Sequence, residues 1–549
     1  MNHKENIKTF FKGEILEDGK TLATYSRDAS LLEVKPALVV FPQDADDVAK
    51  LVSYVAEHKK EDPVLSLTAR AAGTDMSGGP LNESIIMDFT KHITGILSVN
   101  EKDLSAEVLP GTFYRDFEKE TLAKGLLLPC YTASKNLCAI GGMIANNSGG
   151  EKTLIYGKIE DYVAELNVIF SDGKEYRVMP LGRDQLQAKM AQKDFEGEIY
   201  RKMYELIEAN YEKIKAAKPK VKKNSAGLYL WNVWDRETGI FDLTKLIVGS
   251  QGTLGLVTKA KFKLVPIKKH SKLYVIFMPR IDRVSDVVNE LLPFKPESLE
   301  SYDDHTMRLA FKFMPGIWKS MKTKNFIKFL LSFLPELWMI LTKGMPRFVI
   351  LAEFAGDSLV DIDRTMKEVD AHMKKFGFAS RITSSVEESE KYWTIRRESF
   401  NLLRRHLHGT RTAPFIDDIV VNPEHLPEFW PKLISLLDEY KLVYTVAGHA
   451  GSGNFHIIPL MDMKKEENHK IVLELSEKVY DLVLSYGGSI TAEHNDGIIR
   501  TPYLTKMFGK EIYALFKETN RIFDPLDIFN PGKKGSEGIE YIKKHLVYS

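Results

Sequence analysis

Two hydrophobic rhythms run along this chain. Residues 37–58, ALVVFPQDADDVAKLVSYVAEH, begin with an apolar run and break at Pro42-Gln43-Asp44. They then place Val48, Leu51, Val52 and Val55 on one stripe of helical period. This pattern predicts a strand, a turn and an amphipathic helix, and VLSLTAR at 64–70 adds a second strand that completes a βαβ unit. SIIMDF, the alternating LSAEVLPG, ELNVIFSDGKEYRV with its Asp172-Gly173 turn, and KLIVGSQGTLGLVTKAKFKLVP (245–266) read as further strands. From 272 the texture changes. KLYVIFMP, RFVILAEFAG and YTVAGHAG alternate with helical stretches at 283–292, 360–376 and 425–440, which predicts an antiparallel sheet covered by helices. Residues 501–549 read as a helical segment ending in FDPLDIFNPGKK. The expected class is α+β: an extension at 1–35, a glycine-rich domain at 36–268, a second domain at 269–500 and a C-terminal segment at 501–549.

At 549 residues the chain is long enough for two or three cores. Its 76 basic and 75 acidic side chains leave no general basic face for nucleic acid. Two cysteines, Cys130 and Cys138, exclude both a disulfide framework and a four-thiolate cluster. The first twenty residues are charged and carry no apolar run of the secretory kind, so a cytoplasmic location is expected.

One segment departs from this balance. Residues 311–348 are dense in Phe, Leu, Trp and Met and carry Lys312, Lys319, Lys322, Lys324, Lys328, Lys343 and Arg347 against one acid, Glu336. The apolar run is broken at Pro335-Glu336 and falls short of the ~20 residues that cross a bilayer. A helix pair lying on the inner face of the cytoplasmic membrane fits this composition. So does a helix pair capping the second domain with its lysines solvated; the charge imbalance favours the membrane.

Three glycine clusters lie in the first half: RAAGTDMSGG (70–79) directly after a strand, IGGMIANNSGG (140–150) and GSQGTLG (249–255). Such loops bring backbone N–H groups together around a diphosphate, and Thr74 and Ser77 add hydroxyls. None reads G-x-G-x-x-G at the head of a helix, so a Rossmann site is unsupported. In VAGHAGSGNFHIIPL (446–460), His449 and His456 flank a Gly451-Ser452-Gly453 turn and would leave adjacent strands side by side. On spacing alone they could be two ligands of one ion or two unrelated hydrogen-bonded residues. TAEHNDG (491–497) adds Glu493 and His494, completing a two-histidine, one-carboxylate set with a base beside it.

Taken in order, YSRDAS, PALVVFPQDADDVAKLV, RAAGTD, CAIGGMIANNSGG, the Tyr156-Gly157 pair, GSQGTLGLVT, GHAGSGNFH, AEHNDG and FDPLDIFNPGK make the chain resemble a known family. It is similar to the FAD-linked 2-hydroxy-acid dehydrogenases (D-lactate, D-2-hydroxyglutarate and glycolate dehydrogenases) of the vanillyl-alcohol-oxidase superfamily. The resemblance spans roughly 25–535, outside the basic segment. It implies a two-subdomain PCMH-type FAD-binding domain with an antiparallel-sheet cap. The FAD diphosphate would lie near Ala71, Ala72, Gly73, Thr74, Asp75 and Ser77. The rest of the cofactor would lie near Gly141, Gly142, Asn146, Ser148, Gly149, Gly157, Gly252, Val257 and Asn530. Covalent relatives carry a histidine in the first loop; Thr74-Asp75 stand here, so a dissociable FAD is expected, with Cys130 a less favoured attachment point.

By the same resemblance His449, His456 and Glu493 hold a divalent metal, Zn or Mn, His494 is the general base and Arg396 binds the substrate carboxylate. Arg397, Arg404 and Arg405 are the neighbouring cations, the last two fitting a solvated helix face. The D-2-hydroxyglutarate enzymes carry a lysine where this chain reads APFIDDIVV (413–421). Ser452 replaces a usual Asp, Asn495-Asp496 replace Gly-Ile, and Arg500 replaces a lysine. The expected activity is oxidation of a lactate-like D-2-hydroxy acid, with electrons passed to an external quinone, cytochrome or electron-transfer flavoprotein. Two rivals remain: a non-redox flavoenzyme like the alkylglycerone-phosphate synthases, and a non-catalytic flavin-binding subunit of a complex.

Overall fold

The computed structural model describes residues 2–312, 333–406, 411–535 and 538–547. Its first layer is a four-stranded sheet in the order Glu14–Leu16, Leu38–Phe41, Ile85–Asp88, Leu67–Arg70. The predicted βαβ unit is present with a strand inserted: Ile85–Asp88 lies between the other two and parallel to both. Every position of Leu38–Phe41 and Ile85–Asp88 is buried, as expected for parallel strands covered on both faces. The crossover helix Ala45–His58 is capped by Asp44, whose carboxylate accepts from the Asp47 N–H, and it buries the stripe Val48, Leu51, Val52 and Val55.

A second, antiparallel sheet runs Ile96–Asn100, Ser105–Val108, Leu256–Lys263, Val163–Ile169, Glu175–Val178. Leu256–Lys263 alternates buried and half-buried positions along its length. The strand expected from 245 begins only there. Thr244–Ile247 is a short buried helix, and the glycines that follow form a loop in which Gly249 and Gly252 have positive φ. A brief Leu-Ile-Val run does not distinguish a buried helical turn from a strand.

The cap is one antiparallel sheet in the order Ala379–Ile382, His270–Met278, Phe348–Gly356, Ser298–Asp303, Val443–His449, Asn454–Met461, Arg411–Thr412. Helices Val284–Leu291, Leu359–Met373, Leu426–Glu439 and Glu466–Ser485 cover one face through a core that includes Ile276, Ile350, Val369, Leu433 and Val479. The other face packs Val275, Leu351 and Tyr302 against Met307, Phe333, Tyr392 and Trp393. Helix Leu504–Phe523, kinked at Gly509, returns Phe516 and Phe523 to the core of the second sheet, and Ile528 and Phe529 join the first. Of the basic segment 311–348, residues 313–332, with Lys319, Lys322, Lys324 and Lys328, lie outside the described residues. Among the described residues no helix is long and apolar enough to cross a membrane.

Candidate active site

A cavity of about 620 Å³ is lined by residues from both sheets and from the cap. Its size lies within the ~300–1,000 Å³ of cofactor and ligand sites. One wall is nearly bare backbone: Ala71, Ala72, Gly73, Thr74 and Asp75, then Gly141, Gly142, Asn146 and Ser148, then Gly252 and Val257 all line it. A side chain at Gly142 would point at Ala71, 3.5 Å from its Cβ. This wall fits an extended dinucleotide whose phosphates need close backbone approach.

Four expected cofactor residues do not line the cavity. Ser77 is fully buried and donates its hydroxyl to Asp75 Oδ2 at 2.7 Å, so it braces the loop. Asp75 Oδ2 also accepts from Gly79 N, while Oδ1 accepts from Asn146 Nδ2 at 2.7 Å. Asn530 donates to the carbonyls of Gly79 and Gln251 and accepts from Thr68, tying two glycine loops together from behind. Gly157 ends a helix beside Asp161, and Gly149 packs against Thr153 and Lys158. Cys130 sits in the core of the second sheet, whereas Cys138 lines the cavity, its thiol pushed up to about 11 by burial.

The cap supplies the other wall. Val443–His449 and Asn454–Met461 pair with Ala447 opposite His456 and His449 opposite Asn454, which puts both histidines on one face of the hairpin. The turn between them requires glycine at 453: φ is +69°, and a Cβ there would stand 1.8 Å from the Val421 carbonyl oxygen. The two rings lie 5.3 Å apart, and His456 lies 5.3 Å from His494.

Glu493 and His494 come from the Thr491–Gly497 loop, which hangs on Asp418. Its Oδ2 accepts from Thr491 Oγ1 and from the N–H groups of Ala492, Glu493 and His494 at 2.7–2.9 Å. Burial opposes the Asp418 charge, but His494 and His456 outweigh it and hold the carboxyl at about 2. Beyond His494 the loop docks on the glycine wall: Asn495 donates to the Gly249 carbonyl and Gly497 N–H to Gln251 Oε1. Asn495 has φ of +65°, in the left-handed region that favours glycine and that asparagine tolerates. Asp496 is buried against Lys534 at 2.7 Å, and Arg500 bonds the carbonyls of Asn495 and Asp417.

Each imidazole has Nδ1 facing a buried carboxylate. His449 Nδ1 is 2.6 Å from Glu300, His456 Nδ1 is 3.0 Å from Asp417, and His494 Nδ1 is 3.7 Å from the other oxygen of Asp417. Orientation by outer carboxylates leaves Nε2 for a metal or a substrate. One ligand atom each of Asp418, His456, Glu493 and His494 lies within 4.8 Å of the others, and His449 joins this group through its Nε2, 3.3 Å from Glu493 Oε1. That set holds two of the three expected ligands, His456 and Glu493, together with the expected base His494, while Asp418 is engaged by the loop N–H groups and His449 reaches the set only through Glu493. Burial works against the charge on Glu493, yet His449 and Lys223 hold its carboxyl well below the usual range. For His494 burial is outweighed by Asp418, Asp417 and Glu493, which raise its pKa.

Arg396 lines the cavity and lies 3.3 Å from Glu300, the carboxylate that also holds His449. Arg397 lines it too, but its guanidinium pairs with Glu151. The side chains of Arg404 and Arg405 lie outside those described. Sequence reasoning missed Asp417, Glu300 and Lys223. Lys223 is fully buried, with its ammonium on Glu493 and on the Gly150 carbonyl at 3.2 Å. Only the Asp417-Asp418 doublet carried a signal, since paired acids in an apolar stretch need partners.

Residues 36–179 match the family described as the FAD binding domain, and residues 267–534 match the FAD linked oxidases, C-terminal domain. The chain belongs to the FAD-linked oxidases. It is 30% identical over 531 residues to D-2-hydroxyglutarate dehydrogenase of Pseudomonas putida, covering 95% of this chain and 50% of that protein. It is 27% identical to glycolate oxidase subunit GlcD of Bacillus subtilis, covering 93% and 91% of the two chains. The chain thus spans about half the length of several curated relatives it matches, the D-2-hydroxyglutarate dehydrogenases of Pseudomonas putida and Escherichia coli among them. The p-cresol methylhydroxylase structure shares the fold, with a TM-score of 0.69 at 15% identity over 98% of each chain.

Proposed function

We propose that this FAD-linked oxidase dehydrogenates a small D-2-hydroxy acid to the 2-oxo acid and passes the electrons to an external acceptor such as a membrane quinone. The supporting observation is the grouping, within one cavity, of a backbone-walled cofactor channel and three imidazoles each backed by a carboxylate. FAD, held non-covalently along the Ala71–Asp75, Gly141–Ser148 and Gly252–Val257 wall, would supply the hydride acceptor. A Zn²⁺ or Mn²⁺ ion held by His449, His456 and Glu493 would supply Lewis-acid polarisation of the hydroxyl.

The chain's own residues do the rest. Arg396 anchors the substrate carboxylate and so fixes which α-hydrogen faces the cofactor. His494 takes the hydroxyl proton at Nε2, with Asp417 Oδ2 3.7 Å from its Nδ1, near enough to favour the protonated ring but beyond hydrogen-bond reach. A lactate-like acid suits the remaining lining: Thr306, Thr445, Ala447 and Ile458 are small or apolar, and Ile416 is buried in the stretch where relatives of the dicarboxylate type carry lysine.

Anaerobic mixing of the FAD-loaded chain with D- and L-2-hydroxy acids, with and without chelator, tests this. D-monocarboxylates should bleach the flavin, chelator should slow bleaching, and His494→Ala should retain FAD while losing roughly 10²–10⁴ in rate. Bleaching by none of the acids, or at an unchanged rate in His494→Ala, would overturn the reading. Substrate turnover without net bleaching would point to the non-redox chemistry of a synthase.

A further inference from the structure

Helix Leu334–Lys343 is built inside out. Facing the protein it buries Glu336, 2% exposed, with Met339 and Ile340 half-buried beside it. Facing outward it shows Leu334, Leu337, Trp338 and Leu341, at 55%, 41%, 68% and 81% exposure. These positions, i, i+3, i+4 and i+7, form a complete apolar stripe. The inward acid is deliberately matched: Lys391 Nζ is 2.9 Å away and itself buried, and the Tyr392 hydroxyl bonds the same oxygen. The helix is therefore fastened by its polar residue, and its leucines are left on the outside. Placing Glu336 outward and the stripe inward would be the ordinary arrangement of a surface helix.

We propose that this ridge docks on a lipid bilayer bearing anionic headgroups. The segment that carries it is basic in sequence, although Glu387 and Glu390 stand exposed on the helix Val386–His406 that holds Glu336. The only acid of residues 311–348 is the buried, paired Glu336, while Lys343 closes the helix and Arg308 and Arg347 stand exposed beside it, sharing Asp304. Trp338 on the shoulder of the stripe suits the headgroup level. At ten residues the helix is about 15 Å long, enough to lie in an interface and too short to cross it. A stable interface with a second copy or another protein needs ~800 Å² per partner, more than four side chains on so short a helix provide. Lys391 and Tyr392, which hold the helix, lie less than two turns before Arg396, so the docked face would stand beside the substrate end of the cavity.

The test is co-sedimentation of the full chain with vesicles of phosphatidylcholine alone or mixed with phosphatidylglycerol. Wild type should pellet with the mixed vesicles, less with neutral ones, and less at high salt. Leu341→Glu should lower partitioning about tenfold or more. Lys343→Glu should lower it roughly fivefold. Both should keep the melting temperature and dye-coupled turnover. Quenching by brominated lipid should be present in wild type and reduced in Trp338→Phe. Equal partitioning of wild type and Leu341→Glu overturns the proposal. So does absence of vesicle binding accompanied by a concentration-dependent dimer that Leu341→Glu disperses, which would make the ridge a self-interface.

Discussion

Lys223 shows what a single side chain contributes to this site. Its ammonium is wholly buried, yet it sits on the carboxylate that is to hold the cation. Without an ion it shares with His449 the charge that makes burial of Glu493 tolerable, because an uncompensated buried carboxylate costs about 3–5 kcal/mol. Lys223→Met should therefore lose about 3 kcal/mol of stability in chelator and recover much of it when Zn²⁺ or Mn²⁺ is added, since binding to the folded state alone stabilises it. Thermal unfolding with and without metal reads this directly; equal losses in both conditions would show that Lys223 and the ion do not share Glu493. This residue was illegible in the sequence. Within KVKKNSAG it reads as one more solvated lysine, and its partner lies 270 positions away. His449, His456, Glu493 and His494 line one cavity and come from two short segments, but their spacing left a metal site and unrelated polar residues both open, and only the resemblance singled them out. Ser77 misled for the opposite reason: a hydroxyl in a glycine loop advertises phosphate binding, and its bond to Asp75 is invisible until the loop closes.

Among the elements, the histidine hairpin depends on its turn. His449 and His456 share a face only if Ala450–Ser452 forms its short 3-10 helix and Gly453 returns the chain in the left-handed region. Gly453→Ala meets both a positive φ and the Val421 carbonyl, and strain of this kind costs on the order of 1–3 kcal/mol before the overlap is counted. The substitution should lower the melting temperature and the bound metal per chain together, measurable by calorimetry and elemental analysis. A destabilised protein that keeps full metal stoichiometry would show that hairpin register does not set the site. Helix Ala45–His58 was readable because its apolar stripe has one consistent face, and the cap strands His270–Met278 and Phe348–Gly356 because they carry short continuous apolar runs, buried on both faces. Residues 244–255 were not, since a four-residue helix and a glycine loop have no period to read. Helix Leu334–Lys343 defied the rule itself, its one acid pointing inward.

At the scale of the molecule, buried charges cross the seam between the FAD-binding domain and the cap beside apolar contacts such as that of Leu154 with the cap core. Glu151 pairs with Arg397 at 2.5 Å and accepts from the Tyr131 hydroxyl, while Lys152 and Tyr156 both bond Glu297. Burial pushes the Glu151 carboxyl up, but Arg397 outweighs it and holds it at about 2. Its folded-state pKa is thus depressed below the ~4.3 of an unfolded glutamate. Such a group adds stability that is complete above the unfolded value and disappears as pH falls through the folded one, here between about pH 5 and pH 2. The seam should loosen over that window while each core persists. Glu151→Gln removes the titrating group and leaves the half-buried Arg397 without its anion, so the variant should begin less stable at neutral pH by about 1–3 kcal/mol. From there its melting temperature should fall less steeply with acid than that of wild type. If the two slopes coincide, other carboxylates govern the acid response, and the Glu151–Arg397 pair contributes geometry to the substrate end of the cavity without coupling the cap to pH.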